Sequence, residues 1–400
     1  MLRTIQVAMF LLFLACNTSP DPQPAEPQQF QTTDFALTSD MRALWTGDAL
    51  WTRVLILESA DALPDLQTTT MRAHQHQMDI ANIFRPFYGN LAADELADLL
   101  HDHVNQLLTL LAALRDRDTD RITAAQTVWY RNADNLAVAL NGLNPAWKLP
   151  AMRQMWRAKL DTTLAEANAW LLGNWSVETK TYDIAVGHSL AMANVLSAGL
   201  QKQRPEQVGK SNLDAGEQTL RSEMRNLWQE SVVRMRIYMI AAIAGLPETD
   251  YALMHWQQSQ AAIGDAMRPY YGNVAADQLT TLLQGHVAGA AAVVTTVKHG
   301  ISPAFETAKM DWHANADQLA QQLAKTTGVA ETDLKEILHT HLDQSVDAAI
   351  ARVRGNWSGD MLVYDALVLH ILNLADVLAV ATNGKVAPTE DGIGVARPGM

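Results

Sequence analysis

Four histidines pose the first chemical question in this chain. His103 and His286 stand 183 positions apart in matching surroundings, and His188 and His370 stand 182 apart in another matched pair. His103 falls on an apolar stripe with Leu96, Leu99, Leu100, Leu107, Leu110, Leu111 and Leu114, where an imidazole must shed its water. Desolvation disfavours the charged ring, so each histidine is expected neutral near pH 7, with one nitrogen free to accept a hydrogen bond or bind a metal. If His103 meets His188, and His286 meets His370, two imidazoles and a carboxylate would suit a late first-row divalent ion. The supporting polar residues are Asn132, Asp134 and Asp183 in the first set, and Asn315, Asp317 and Asp365 in the second. Asn132 projects within about 60° of the Trp129–Ala133–Leu136–Leu140 stripe, at about 100° per residue. The competing expectation is that each histidine bonds separately to an asparagine, aspartate or carbonyl and holds nothing. Asp183 and Asp365 are expected in salt links near a helix start.

Other spacings offer less. His74 and His76, His101 and His103, and His339 and His341 are each two residues apart, which turns their rings about 200° apart on a helix. Glu336 and His339 have the E-x-x-H spacing of di-iron bundles, but a second such pair is missing and Trp156 stands in place of His339 in the first set. His313 and Asp317 share a helix face, with Tyr130 in place of His313. No nucleophile elbow, phosphate loop or H-E-x-x-H motif occurs. The formal net charge of -13 opposes nucleic acid phosphates, so nucleic acid is not an expected partner. Cys16 is the only cysteine, which excludes disulfides and thiolate metal sites from the body.

The elements that must position these residues are helical and written twice. "RPFYGNLAADELADLLHDHV" from Arg85 and "RPYYGNVAADQLTTLLQGHV" from Arg268 share 13 of 20 residues. Trp129-x-x-Asn132-Ala133-Asp134 returns as Trp312-x-x-Asn315-Ala316-Asp317, and Tyr182-Asp183 as Tyr364-Asp365. A unit this long is a duplicated domain rather than a solenoid repeat. Apolar spacings of three and four predict helices over 41–63, 67–85, 91–115, 120–142, 149–172 and 177–200. Asn90 and Asn273, and Ser176 and Ser358, sit where helix caps belong, with Glu178 and Asp360 as acids of the first turn. The fold class expected is all-α, as two tandem homologous up-and-down helical bundles over 41–200 and 220–383, joined by a linker at 201–219. Residues 384–400 read as a disordered tail.

The N-terminus reads as an address. Arg3 precedes an apolar run of 11 residues, Ile5 to Ala15, too short to span a bilayer and long enough for an export signal over 1–15. Residues 16–40, with Pro20, Pro22, Pro24 and Pro27, form an extended tether. No other segment is expected to reach membrane length, the longest apolar run of the body being Ile237 to Leu246.

Phe13-Leu14-Ala15-Cys16 resembles the lipobox of bacterial lipoproteins. The resemblance implies lipidation of Cys16, a lipid bilayer as partner, and, with Asn17 following, an outer-membrane position facing the periplasm. The repeated R-P-x-Y-G-N, W-x-x-N-A-D and Y-D set resembles an uncharacterised family of bacterial helical proteins with no assigned activity. The functional expectation is an envelope lipoprotein acting as a non-catalytic binding module for a small ligand or metal ion. An adaptor for an envelope protein, with purely structural histidines, is the alternative, and an α-bundle enzyme the third.

Overall fold

The computed structural model describes residues 32–385. The stretch read as an export signal, Cys16 and the residues beyond Lys385 lie outside the described residues. Eleven helices are present among them: α1 (Asp34–Ala60), α2 (Leu66–Asn82), α3 (Arg85–Asp116), α4 (Thr119–Leu143), α5 (Leu149–Leu171), α6 (Trp175–Gln203), α7 (Ala215–Ala244), α8 (Thr249–Val297), α9 (Pro303–Thr327), α10 (Glu331–Val353) and α11 (Trp357–Thr382). Two-residue strands β1 (Thr32–Thr33) and β2 (Val208–Gly209) pair in parallel. The protein is an all-α bundle, as its periodicity predicts.

Helix α1 starts inside the stretch expected as tether, because the Thr33 side chain accepts a bond from the amide of Ala36 and caps it. The caps of α6 and α11 are Asn174 and Asn356, two residues before the expected serines. Glu178 and Asp360 then lie a full turn inside and are buried.

Two helices form the centre. Nearly every residue of α1 from Trp45 to Ser59 is buried, and so is α7 from Val232 to Ala241, as expected of helices surrounded by others. Helix α1 packs against α2, α3, α5 and α6, while α7 packs against α8 and α11, and α1 and α7 also touch each other. Fully buried indoles (Trp129, Trp147, Trp156 and Trp312) fill the space between layers. Each removes on the order of 200 Å² from water, worth roughly 5 kcal/mol as an upper bound.

The Arg-Pro-x-Tyr-Gly-Asn stretches are structural breaks. Gly89 interrupts α3 at φ 80° and ψ 176°, and Gly272 interrupts α8 at φ 79° and ψ 174°, a region open only to glycine. Arg85 ties the break together by donating to Asn82, Asn90 and Asp94, and Arg268 does so with Asp265, Asn273 and Asp277. The Asn90 and Asn273 side chains therefore serve these arginines.

One segment departs from the membrane expectation. Trp357–Thr382 is long and apolar enough to cross a bilayer by length and composition. Its inner face packs on α7 and α10, and Leu362, Leu369 and Val380 face outward.

Candidate functional site

The four histidines take separate partners. Asn132 donates to the carbonyl of Leu99, so its oxygen accepts and the proton belongs on His103 Nδ1, 2.9 Å away. His286 and Asn315 repeat this at 3.0 Å, with Leu282 as the carbonyl. Thr162 spends its hydroxyl proton on Ala158, so His188 donates to it, and His370 donates to the carbonyl of Ile337 at 2.7 Å. The expected carboxylates are also engaged elsewhere. Asp134 pairs with Arg157, and Asp317 with His339 and Lys335. Among the described residues no group of three or more His, Cys, Asp or Glu could hold a metal ion. The two-imidazole-plus-carboxylate set is therefore not assembled: the leucine stripe buries each ring, but the nearest amide satisfies it. Burial lowers both His103 and His286 to about 4, so these two rings are neutral near pH 7 without a metal.

Helix spans also correct the alignment of α5 with α10. The two run over 149–171 and 331–353, 182 apart throughout, so Trp156 corresponds to Leu338 and Lys159 to His341. In the first half Lys159 makes a buried ion pair with Asp48 at 2.7 Å, and Gln77 donates to Asp48. In the second half His341, Ser231 and Gln260 stand in these places, around a cavity of about 20 Å³, room for about one water. His286 and His341 stack there at 5.9 Å between ring centroids.

A second polar system, which residue spacing alone does not reveal, lies where the halves meet. Arg53 on α1 forms two bonds to Glu178 on α6, at 2.7 and 2.8 Å. Arg236 on α7 does the same with Asp360 on α11, at 3.1 Å each. The guanidiniums lie over Tyr182 and Tyr364 at 4.3 and 4.6 Å, which accounts for the tyrosine of each Tyr-Asp pair. Asp183 and Asp365 do form salt links, and both links cross between the halves, to Arg234 at 2.9 Å and Arg72 at 2.8 Å.

The two ends of this junction differ in their cations. At one end Arg352 from α10 bonds Asp360 at 2.7 Å, bonds Asp65 of the first half, lies 3.8 Å from Glu58, and covers the Trp357 ring at 5.3 Å. At the other end the matching positions hold Trp170, Glu178, Glu248 and Trp175, each 182 or 183 positions from its counterpart. Trp170 meets Trp175 edge-on at 5.3 Å and donates to Asp61 at 2.8 Å. No guanidinium replaces that of Arg352. Glu248 is 3% exposed, and its buried carboxyl has no partner beyond its own backbone amide.

A cavity of about 20 Å³ opens beside it, lined by Arg53, Trp170, Trp175, Glu178, Arg234, Glu248, Tyr251 and His255, among others. Burial raises Glu248 to about 7 against the pull of its own backbone amide and of Arg53, with Asp61 and Glu178 adding to the rise. His255 is lowered to about 4 by burial and by Arg234, which bonds its ring. The chemistry available is recognition of a small polar group by a dry carboxyl with aromatic walls. A sequence signal existed: a glutamate matched to Asp65, and a tryptophan matched to Arg352. The chain matches no protein-family model, no curated protein and no solved structure.

Proposed function

We propose that this chain is a non-catalytic binding protein of the cell envelope, tethered through lipid on Cys16, whose ligand site is the Glu248 cavity between the halves. The observation that carries the reading is the Glu248 carboxyl, buried beside a cavity with no partner outside its own residue. An unsatisfied buried carboxyl costs on the order of 1–3 kcal/mol, and a ligand that satisfies it recovers that cost on binding. Arg53 and Arg234 are held in ion pairs, which favours a fixed receptor over moving chemical groups. The binding test is tryptophan fluorescence of the full chain against a panel of small cations, anions and neutral molecules. Saturable quenching that Glu248→Gln abolishes supports the reading, and a panel without effect ends it. The anchor is tested separately: Cys16→Ser should release the protein from membranes, and a variant that stays bound would refute the lipid.

The adaptor reading is favoured by a different observation. Leu362, Leu369 and Val380 are 72%, 71% and 52% exposed and fall within about 20° of one line on α11 at about 100° per residue. Cross-linking through position 369 to an envelope protein, lost in Leu369→Glu, would support it.

A further inference from the structure

We propose that the Glu248 cavity takes a primary ammonium head group, which does for Glu248 and Glu178 what Arg352 does for Asp65 and Asp360 at the other end of the junction. The proposal rests on the binding reading above and names the class of ligand.

The protein carries its own stand-in. Arg352 bridges Asp360 and Asp65, two carboxylates from different halves, against the face of Trp357. Glu178 and Glu248 likewise come from different halves, against Trp175 and Trp170. The bridging cation is what this end lacks. Trp170 occupies the counterpart position and gives its one proton to Asp61, so it cannot serve either glutamate.

Charge points the same way. Around Arg352 the carboxyls are Asp360, Asp65, Glu58 and Asp365, with Arg236, Arg352 and Arg72 as cations. Around the Glu248 cavity they are Glu178, Glu248, Glu166, Glu230, Asp183 and Asp61, with Arg53 and Arg234 as cations and Lys159 acting on Glu166. Burial raises Glu166, Glu230 and Glu248 alike. Burial raises Glu58 at the Arg352 end as well, but there Arg352 stands 3.8 Å from it.

Size selects the head group. A cavity of about 20 Å³ admits something near the size of a water, which fits an ammonium and rejects a guanidinium or a quaternary amine. The rings of Trp170, Trp175 and Tyr251 line it and present π faces or edges to a cation. Trp175 and Tyr251 are half-buried, so an amine can enter head first with its tail toward solvent.

The test titrates the full chain with methylammonium, tetramethylammonium, guanidinium and acetate, read by calorimetry and tryptophan fluorescence. Methylammonium should bind once per chain, and tetramethylammonium and guanidinium at least 10-fold more weakly. Glu248→Gln, which keeps the shape of the protonated side chain, should weaken methylammonium by at least 10-fold. Trp170→Arg supplies an internal cation and should abolish binding while the protein stays folded by circular dichroism. Methylammonium binding unchanged in both variants would overturn the proposal. Acetate or a neutral molecule binding in its place, and lost in Glu248→Gln, would overturn the ammonium assignment and leave the binding reading intact. Silence across every probe would sink both.

Discussion

The guanidinium of Arg352 bonds the carboxylate of Asp65, 287 positions earlier in the chain. That contact pins the second half to the first, and its other nitrogen holds Asp360. Removing one member of a buried ionic network leaves its partners charged and dry, which costs about 3–5 kcal/mol. Arg352→Met should therefore lower the unfolding free energy by about that amount in urea titrations. Arg352→Lys should lose less, because it keeps the charge and gives up the two-pronged geometry. Equal stability of Arg352→Met and the wild type would show that the halves are held by apolar packing alone.

Glu248 makes stability depend on pH in a stated direction. Its carboxyl is raised from 4.5 to about 7, so the folded state favours the protonated form. That contribution is complete below pH 4.5 and is lost as pH rises through 7. The loss is about 1–3 kcal/mol at 1.4 kcal/mol per pH unit, reduced by solvent screening near the cavity mouth. Glu248→Gln should remove this slope, so the variant gains on the wild type between pH 5 and about 8 in denaturation curves. Parallel curves would mean that Glu248 is ionised in the fold.

The buried histidines act in the opposite sense. His103 and His286 are lowered to about 4 and His341 to about 3, by burial above all. Their contribution is complete above about pH 6.5 and is lost as pH falls toward those values. Unfolding near pH 5.5 should take up about one proton per ring, and His103→Gln should reduce that uptake by about one. Proton uptake is read from the pH dependence of the denaturation free energy. An unchanged value would place His103 in contact with water.

The helices were legible because leucine spacing reports burial directly, and every helix predicted in 41–200 is present, although α1 starts seven residues and α3 six residues before the expected start. The histidines were legible as buried for the same reason. Their partners were not, since a ring on a stripe does not say whether a second ring or an amide completes it. Asn132 won because α4 lies directly against α3, and its amide spans the gap from the Leu99 carbonyl to the His103 ring. Glu178 and Asp360 were harder still. An acid two residues after a serine looks like a solvated helix start, and only the position of Arg53 and Arg236 on the central helices reveals a buried pair. The Glu248 cavity depends on contacts between halves, which no local spacing encodes.

The helix breaks give a test in which one chemical change carries two signs. Gly89 and Gly272 sit at φ 80° and 79°, with no atom within 4 Å of where a Cβ would be. Space is therefore not the obstacle to a side chain there, and backbone conformation is. A non-glycine residue in that region costs about 1–3 kcal/mol, more than the roughly 0.4–1 kcal/mol that alanine returns by restricting the unfolded chain. Gly89→Ala and Gly272→Ala should each destabilise the protein. Gly187 also has no atom within 4 Å, but it lies inside α6 with helical neighbours. Gly187→Ala should stabilise by about 0.5–1 kcal/mol, because alanine favours the helix. Thermal unfolding of the three variants decides the matter. If Gly89→Ala and Gly187→Ala shift the midpoint in the same direction, Gly89 is not the hinge that turns the chain into α3.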